Sequence, residues 1–151
     1  RMYLEGERVM NQSKISNFKG EYAFLSNFYE AQVNIDGIIY KNSEAAFQAQ
    51  KCRDQNERLR FTEMTALEAK RFGKKVNLRP DWEKEKVNIM RGIVVAKFNQ
   101  HPELAQKLLE TGDAYLEEGN TWGDQFWGTV NGKGANYLGH ILMDTRGIFM
   151  T

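Results

Sequence analysis

Ser43-Glu44-Ala45-Ala46-Phe47-Gln48-Ala49-Gln50-Lys51 decides how the rest of the chain is read. Alanine, glutamine, glutamate and lysine favour helix, and neither Gly nor Pro interrupts the run. Asn42 and Ser43, just before it, are suited to cap the first free N–H groups. Glu44, Gln48 and Lys51 are spaced to share one face of that helix. They put an acid, an amide and an amine in one row, while Ala46, Phe47 and Ala49 offer apolar surface to a core. The row fits either a solvated polar stripe or the wall of a site, and the helix alone does not choose between them.

Upstream, Val33-Asn34-Ile35 and Ile38-Ile39-Tyr40 flank Asp36-Gly37. Asp-Gly supplies the positive φ angles of a two-residue turn, so the spacing predicts a hairpin that feeds directly into the helix. Before it, Phe18-Lys19-Gly20-Glu21-Tyr22-Ala23-Phe24-Leu25-Ser26-Asn27-Phe28-Tyr29 carries aromatics without a period of 2 or 3.6. Such a segment serves as core packing or as the wall of a pocket that stacks a flat ring. Residues 1–17 are polar and read as a loose N-terminal arm or a first edge strand. Residues 18–151 then make one domain.

Downstream, residues 55–63 read as a short helix. Thr65-Ala66-Leu67-Glu68 is a capping box that opens another, with Gly73 as its stop. Trp82, Ile89, Met90, Ile93, Val94 and Phe98 recur at helical spacing over residues 82–99. Pro102 starts the next helix after a capping His101, and residues 114–116 make a short strand. Glu118-Gly119-Asn120-Thr121-Trp122-Gly123-Asp124-Gln125-Phe126-Trp127-Gly128 sets large rings and an acid among glycines, in no regular period. It reads as a loop pinned by buried Trp or as part of a site. Gly132-Lys133-Gly134-Ala135-Asn136 precedes a final amphipathic helix. Its glycines suit an ordinary loop, or backbone N–H groups presented to an anion. The sum is a mainly α (α+β) fold with a small antiparallel β element.

With 151 residues, 41% hydrophobic and 27% charged, one soluble domain with an ordinary core is expected. A net charge of +1 leaves no strong global field, so any grip on phosphate must be local. Cys52 is the single cysteine and expected to pack on the helix, so no intrachain disulfide forms. No apolar run reaches membrane-spanning length and no signal-peptide pattern opens the sequence, which leads to the expectation of a cytosolic protein with no membrane partner. The leading Arg1 suggests a trimmed or partial chain.

His101 and His140 are the only histidines, and no H-x-x-x-H, paired-cysteine or G-x-S-x-G pattern occurs. No metal and no cofactor is expected. What remains is Glu44, Asp124 and Lys51, with aromatics and a Gly-rich loop. Two carboxylates about an anomeric carbon suit glycosidic cleavage: one protonates the leaving group, and the other stabilises the sugar cation or activates water. Stacking rings would hold a base, and the Gly-rich loop a phosphate.

At these residues the chain resembles the YbiA-like, or NADAR, superfamily of N-glycosidases. The resemblance runs through Gly20-Glu21-Tyr22-Ala23-Phe24-Leu25-Ser26-Asn27-Phe28, the 43–51 stretch, Arg79-Pro80-Asp81-Trp82 and Lys97-Phe98. It continues through Leu109-Glu110-Thr111-Gly112, Trp122-Gly123-Asp124-Gln125-Phe126-Trp127-Gly128 and Gly134-Ala135-Asn136-Tyr137-Leu138-Gly139. These blocks keep the family's order from about residue 18 to 147. Ala45-Ala46 depart from it, since many members carry His and an aromatic there.

The resemblance implies a compact helical domain that cleaves N-glycosidic bonds to ribose. The implied substrate is ADP-ribose on guanine in nucleic acid or nucleotides, or a ribosylated pyrimidine phosphate of riboflavin synthesis. The Asn120-Thr121-Trp122-Gly123-Asp124 form is closer to members tied to ADP-ribose. The resemblance makes Glu44, Trp82 and Asp124 active-site residues, with Glu44 and Asp124 as catalytic groups, and makes Lys51, whose alternative role is electrostatic, a candidate for covalent attachment of ribose. The expected substrate-binding set is Phe24, Ser26, Asn27, Phe28, Gln48, Trp82, Trp127, Gly134 and Asn136. No obligate protein partner is implied. The competing reading is a module that binds ADP-ribose or nucleotides without turnover, for which Glu44 and Lys51 would be unnecessary.

Overall fold

The computed structural model describes residues 14–150. Its centre is helix α1 (Ser43–Ala49), whose seven residues are all buried. The solvated stripe is thereby excluded: Glu44 and Gln48 are interior groups. Asn42 caps the helix, its side-chain oxygen accepting from Ala45 N at 2.8 Å. Strands β2 (Glu30–Ile35) and β3 (Ile38–Asn42) form the antiparallel hairpin that delivers it. Asp36 and Gly37 turn the hairpin with φ of 53° and 88°, which is why Gly follows Asp there. Ile38, Tyr40 and Asn42 alternate inward on β3 and pack the hairpin against α1.

Helix α2 (Gln55–Leu59) lies on the surface, and helix α3 (Ala66–Phe72) packs on α1. Thr65 and Glu68 make both halves of the capping box. Gly73 does follow α3, but with a right-handed φ of −61°, so its reason differs from the expected left-handed stop. A Cβ there would lie 2.0 Å from Gln48 Oε1. Gly73 is small because α1 passes against it.

Helix α4 (Trp82–Gln100) crosses under α1 and the hairpin, and α5 (Pro102–Glu110) follows with Pro at its first turn. His101 makes no side-chain cap; its Nε2 bonds Gln32 O at 2.6 Å and ties this junction to β2. The ends of α1 and α4 are clamped by Arg79, which donates to Asp81 at 2.6 and 3.1 Å and to Gln50 O at 3.3 Å.

A second sheet was not foreseen as a pair. Strand β1 (Lys14–Ile15) runs parallel to β4 (Tyr115–Leu116), joining the start of the described chain to the segment that leads into the aromatic loop. Ile15 and Phe18 enter the core, and the rest of the expected arm, residues 1–13, lies outside the described residues. Helix α6 (Tyr137–Phe149) packs on β4, α4 and α5. Helix α1 ends at Ala49, so Lys51 and Cys52 sit past its end; Cys52 is a buried free thiol. No helix among the described residues is long and apolar enough to cross a membrane.

Candidate active site

A cavity of about 340 Å³ opens against α1. Glu44, Phe47 and Gln48 form its wall on that helix. Gln48 Nε2 donates to Glu44 Oε2 at 2.7 Å, the four-residue spacing doing what the sequence row implied. Burial pushes the Glu44 carboxyl above its ordinary value; the Gln48 bond and the charges of Lys70 and Lys51 oppose that rise.

Ser26, Asn27 and Phe28 form a second wall, just past a 3₁₀ helix spanning Gly20–Leu25. Glu44 N donates to Asn27 O at 3.0 Å, which joins this wall to α1. Asn27 Nδ2 reaches Met90 Sδ on α4. Beneath the wall, the buried Lys97 Nζ donates to Phe24 O at 2.6 Å and Ser26 O at 3.0 Å. Burial lowers the Lys97 amine to about 7.

The third wall is the aromatic loop of residues 118–128. Asn120 stands in for a missing ladder: its Oδ1 accepts from Asp124 N at 3.0 Å and its Nδ2 donates to Asp124 O at 2.8 Å. Asp124 Oδ1 then accepts from Phe126 N and Trp127 N. This network turns Asp124 and Trp127 into the same cavity as Glu44. Trp127 is half-buried, its ring edge-on to Phe47 at 5.4 Å, while Trp122 is 58% exposed at the mouth.

Several expected site residues lie elsewhere. Phe24 turns away and packs edge-on against Phe98 at 6.4 Å, because Lys97 draws the 3₁₀ helix onto α4. Trp82 stands behind Phe47, at 5.0 Å between ring centroids, and supports the wall without lining it. Lys51 also fails to line the cavity. Its amine donates to Gly73 O at 3.2 Å and lies 5.9 Å from the Trp82 ring, since the helix has ended before it. Burial lowers that amine, against the pull of Glu44.

The C-terminal half of the Gly132-to-Asn136 segment is bonded to the aromatic loop. Ala135, Asn136, Tyr137 and Leu138 spend their N–H groups on the carbonyls of Gln125, Gly128, Phe126 and Trp127. Gly134 is required by close approach, since a Cβ would meet Gly128 O at 2.4 Å. Asn136, at φ 54°, accepts from Glu118 N and donates to Leu116 O and Tyr115 Oη. Both residues brace the aromatic loop against α6.

Three charged residues outside the expected site set line the cavity: Lys19, Lys70 and Glu118. Lys70 reaches it from α3, with Nζ 5.2 Å from the Trp122 ring and 5.9 Å from Phe28. It falls one turn past the buried Ala66 and beside Ala69, a small-residue face that lets α3 approach α1; that spacing was the available signal. Glu118 lines it from the loop, whereas its neighbour Glu117 faces Lys14 and Thr129. Burial, and after it the charges of Asp124 and Glu44, push the Glu118 carboxyl up to about 7. Among the described residues, no group of His, Cys, Asp or Glu is arranged to hold a metal ion.

The arrangement is thus three carboxyls, two amines and several rings around a space near the small end of ligand sites. Residues 12–150 match the NADAR domain. The chain belongs to the NADAR family. This NADAR chain is 38% identical to the N-glycosidase YbiA of Shigella flexneri serotype 5b over 154 residues, covering 96% of each protein. It is 40% identical over 131 residues to a riboflavin biosynthesis protein of Vibrio vulnificus, covering 83% of this chain and 35% of that longer protein. The NMR structure of Escherichia coli YbiA superposes with a TM-score of 0.81 at 37% identity, covering 93% of this chain and 88% of that one. The α+β fold of this NADAR chain is therefore similar to that of YbiA.

Proposed function

We propose that this protein is an N-glycosidase that removes ADP-ribose from ADP-ribosylated guanine in nucleic acid or nucleotides. The observation that carries the chemistry is the convergence of Glu44, Glu118 and Asp124 on one ring-walled cavity. Carboxyls on a shared small cavity suit a sugar whose anomeric carbon turns cationic as its base departs. Glu44 is the group that stabilises that charge or takes the proton of water. Gln48 holds it, and the ammonium of Lys70 sits near enough to affect its charge state. Relatives named as N-glycosidases support the reaction class.

The ADP-ribose reading rests on the mouth. The cavity suits a ribose and part of a base, so a diphosphate and second nucleoside would lie outside it. There Phe28 and Trp122 are exposed with Lys70 between them, and Lys19 stands at the edge. Exposed rings beside amines suit stacking and phosphate contact. A second reading, hydrolysis of ribosylated pyrimidine phosphates of riboflavin synthesis, is favoured by the name of the Vibrio relative. The deciding experiment offers both substrates separately and follows free base by chromatography. Release of ADP-ribose from a modified guanine oligonucleotide supports the first reading. Turnover of the riboflavin intermediate alone supports the second. Retention of ADP-ribose without release from either leaves a binding module.

A further inference from the structure

A neutral purine or pyrimidine leaves ribose slowly unless it gains a proton as the bond breaks. The cavity holds three candidate acids, and their surroundings separate them. Glu44 already accepts a hydrogen bond from Gln48 at 2.7 Å, and Lys70 and Lys51 act on it. Asp124 has one oxygen held by the N–H groups of Phe126 and Trp127. Each of these two carboxyls thus already has an oxygen engaged by N–H donors. Glu118 differs. Its Oε1 is shielded from solvent and has no hydrogen-bond partner among the described residues.

The backbone of Glu118 is fixed while its carboxyl is not. Its N–H donates to Asn136 Oδ1 at 3.0 Å, and its carbonyl accepts from Thr129 N at 2.9 Å. Gly128 leaves room for the side chain, since a Cβ there would come 2.5 Å from Glu118 Oε1. The charged groups sharing its cavity are Glu44 from α1, Asp124 from its own loop, Lys70 from α3 and Lys19. Two carboxyls beside it and an oxygen shielded from water both favour the protonated form.

We propose that Glu118 is the proton donor to the departing base, in the cavity it shares with the charge-stabilising Glu44. The inference rests on the N-glycosidase reading. As the C1′–N bond breaks, its electron pair moves onto the base and the Glu118 proton joins that base. Water adds to C1′ and gives its proton to Glu44. Glu118 then recovers a proton from solvent as Glu44 releases its own, so the net change is water consumed and free base formed.

The test uses two substrates: an ADP-ribosylated guanine oligonucleotide and an ADP-ribosyl pyridinium, whose base leaves neutral without a proton. Glu118→Gln should lower kcat on the guanine substrate about 100-fold or more and remove the fall in rate above about pH 7. It should leave the pyridinium rate near that of the unmodified protein. Glu118→Asp should keep the alkaline limb at reduced rate, and melting curves show whether each variant is folded. An unchanged alkaline limb in Glu118→Gln, or equal losses on both substrates, overturns the assignment. The limb decides alone if the pyridinium is not turned over. An unmodified protein that releases no base overturns the N-glycosidase reading and this one together; an active protein indifferent to Glu118 overturns only this one.

Discussion

Glu44 shows how a single residue changes meaning with its surroundings. In isolation it is a helix former in a first turn; in the fold it is a buried carboxyl that accepts from one amide. Glu44→Gln keeps the volume and removes the charge. Turnover should fall by about 10²- to 10⁴-fold while ADP-ribose binding, read by calorimetry, stays within about threefold. Wild-type turnover in that variant would remove Glu44 from the reaction. The two lysines separate in the same way. Lys70 lines the cavity and Lys51 bonds Gly73 O. Lys70→Met should therefore lower kcat/KM by about tenfold or more, and Lys51→Met should lower thermal stability with a smaller kinetic effect. Borohydride trapping checks the covalent alternative: an adduct is expected at Lys70 if at either, and one at Lys51 would show that its amine leaves Gly73 during turnover.

At the scale of elements, two segments are held by polar groups that face away from solvent. Asn136 occupies a left-handed position and braces Glu118, Leu116 and Tyr115 at the start of α6. Asn136→Ala should cost about 3 kcal/mol from unpaired buried groups and backbone strain. A loss of binding without loss of stability, measured by urea titration, would instead indicate phosphate contact. Lys97 holds the 3₁₀ helix through two carbonyls. Its folded-state value of about 7 lies below the ordinary 10.5, so between those values the unfolded chain carries a proton that the native state has lost. Stability from this group is thus lowest below about pH 7 and rises as pH climbs toward 10.5. Lys97→Met should flatten that rise, and an unchanged profile in paired melts would show that Lys97 does not titrate there.

Across the whole molecule, Phe47 joins the core to the site. Its ring meets Trp82 at 5.0 Å on one side and Trp127 at 5.4 Å on the other. Phe47→Ala should cost about 3–5 kcal/mol and enlarge the cavity, so stability and KM should worsen together. A stable variant with unchanged KM in melting and kinetic assays would separate the core from the wall.

Local sequence determined the elements. Asp36-Gly37 set the hairpin turn, the Thr65–Glu68 pair the start of α3, and the apolar spacing of residues 82–99 the long helix. These depend on backbone angles and side chains a few residues apart, which a linear pattern records. The blocks around Glu44 and Asp124 likewise carried the family resemblance. Tertiary structure decided which polar groups face the cavity. Lys51 matched the helical row of Glu44 but lies past the helix end, while Lys70 arrives on another helix. In the Gly132-to-Asn136 segment, Ala135 and Asn136 spend their N–H groups on the carbonyls of Gln125 and Gly128, partners that only folding brings near. Glu117 and Glu118 are adjacent and alike in sequence, yet one meets Lys14 and the other a cavity it shares with Glu44 and Asp124. Burial and field at such positions are set by segments far along the chain, and only packing brings those segments together.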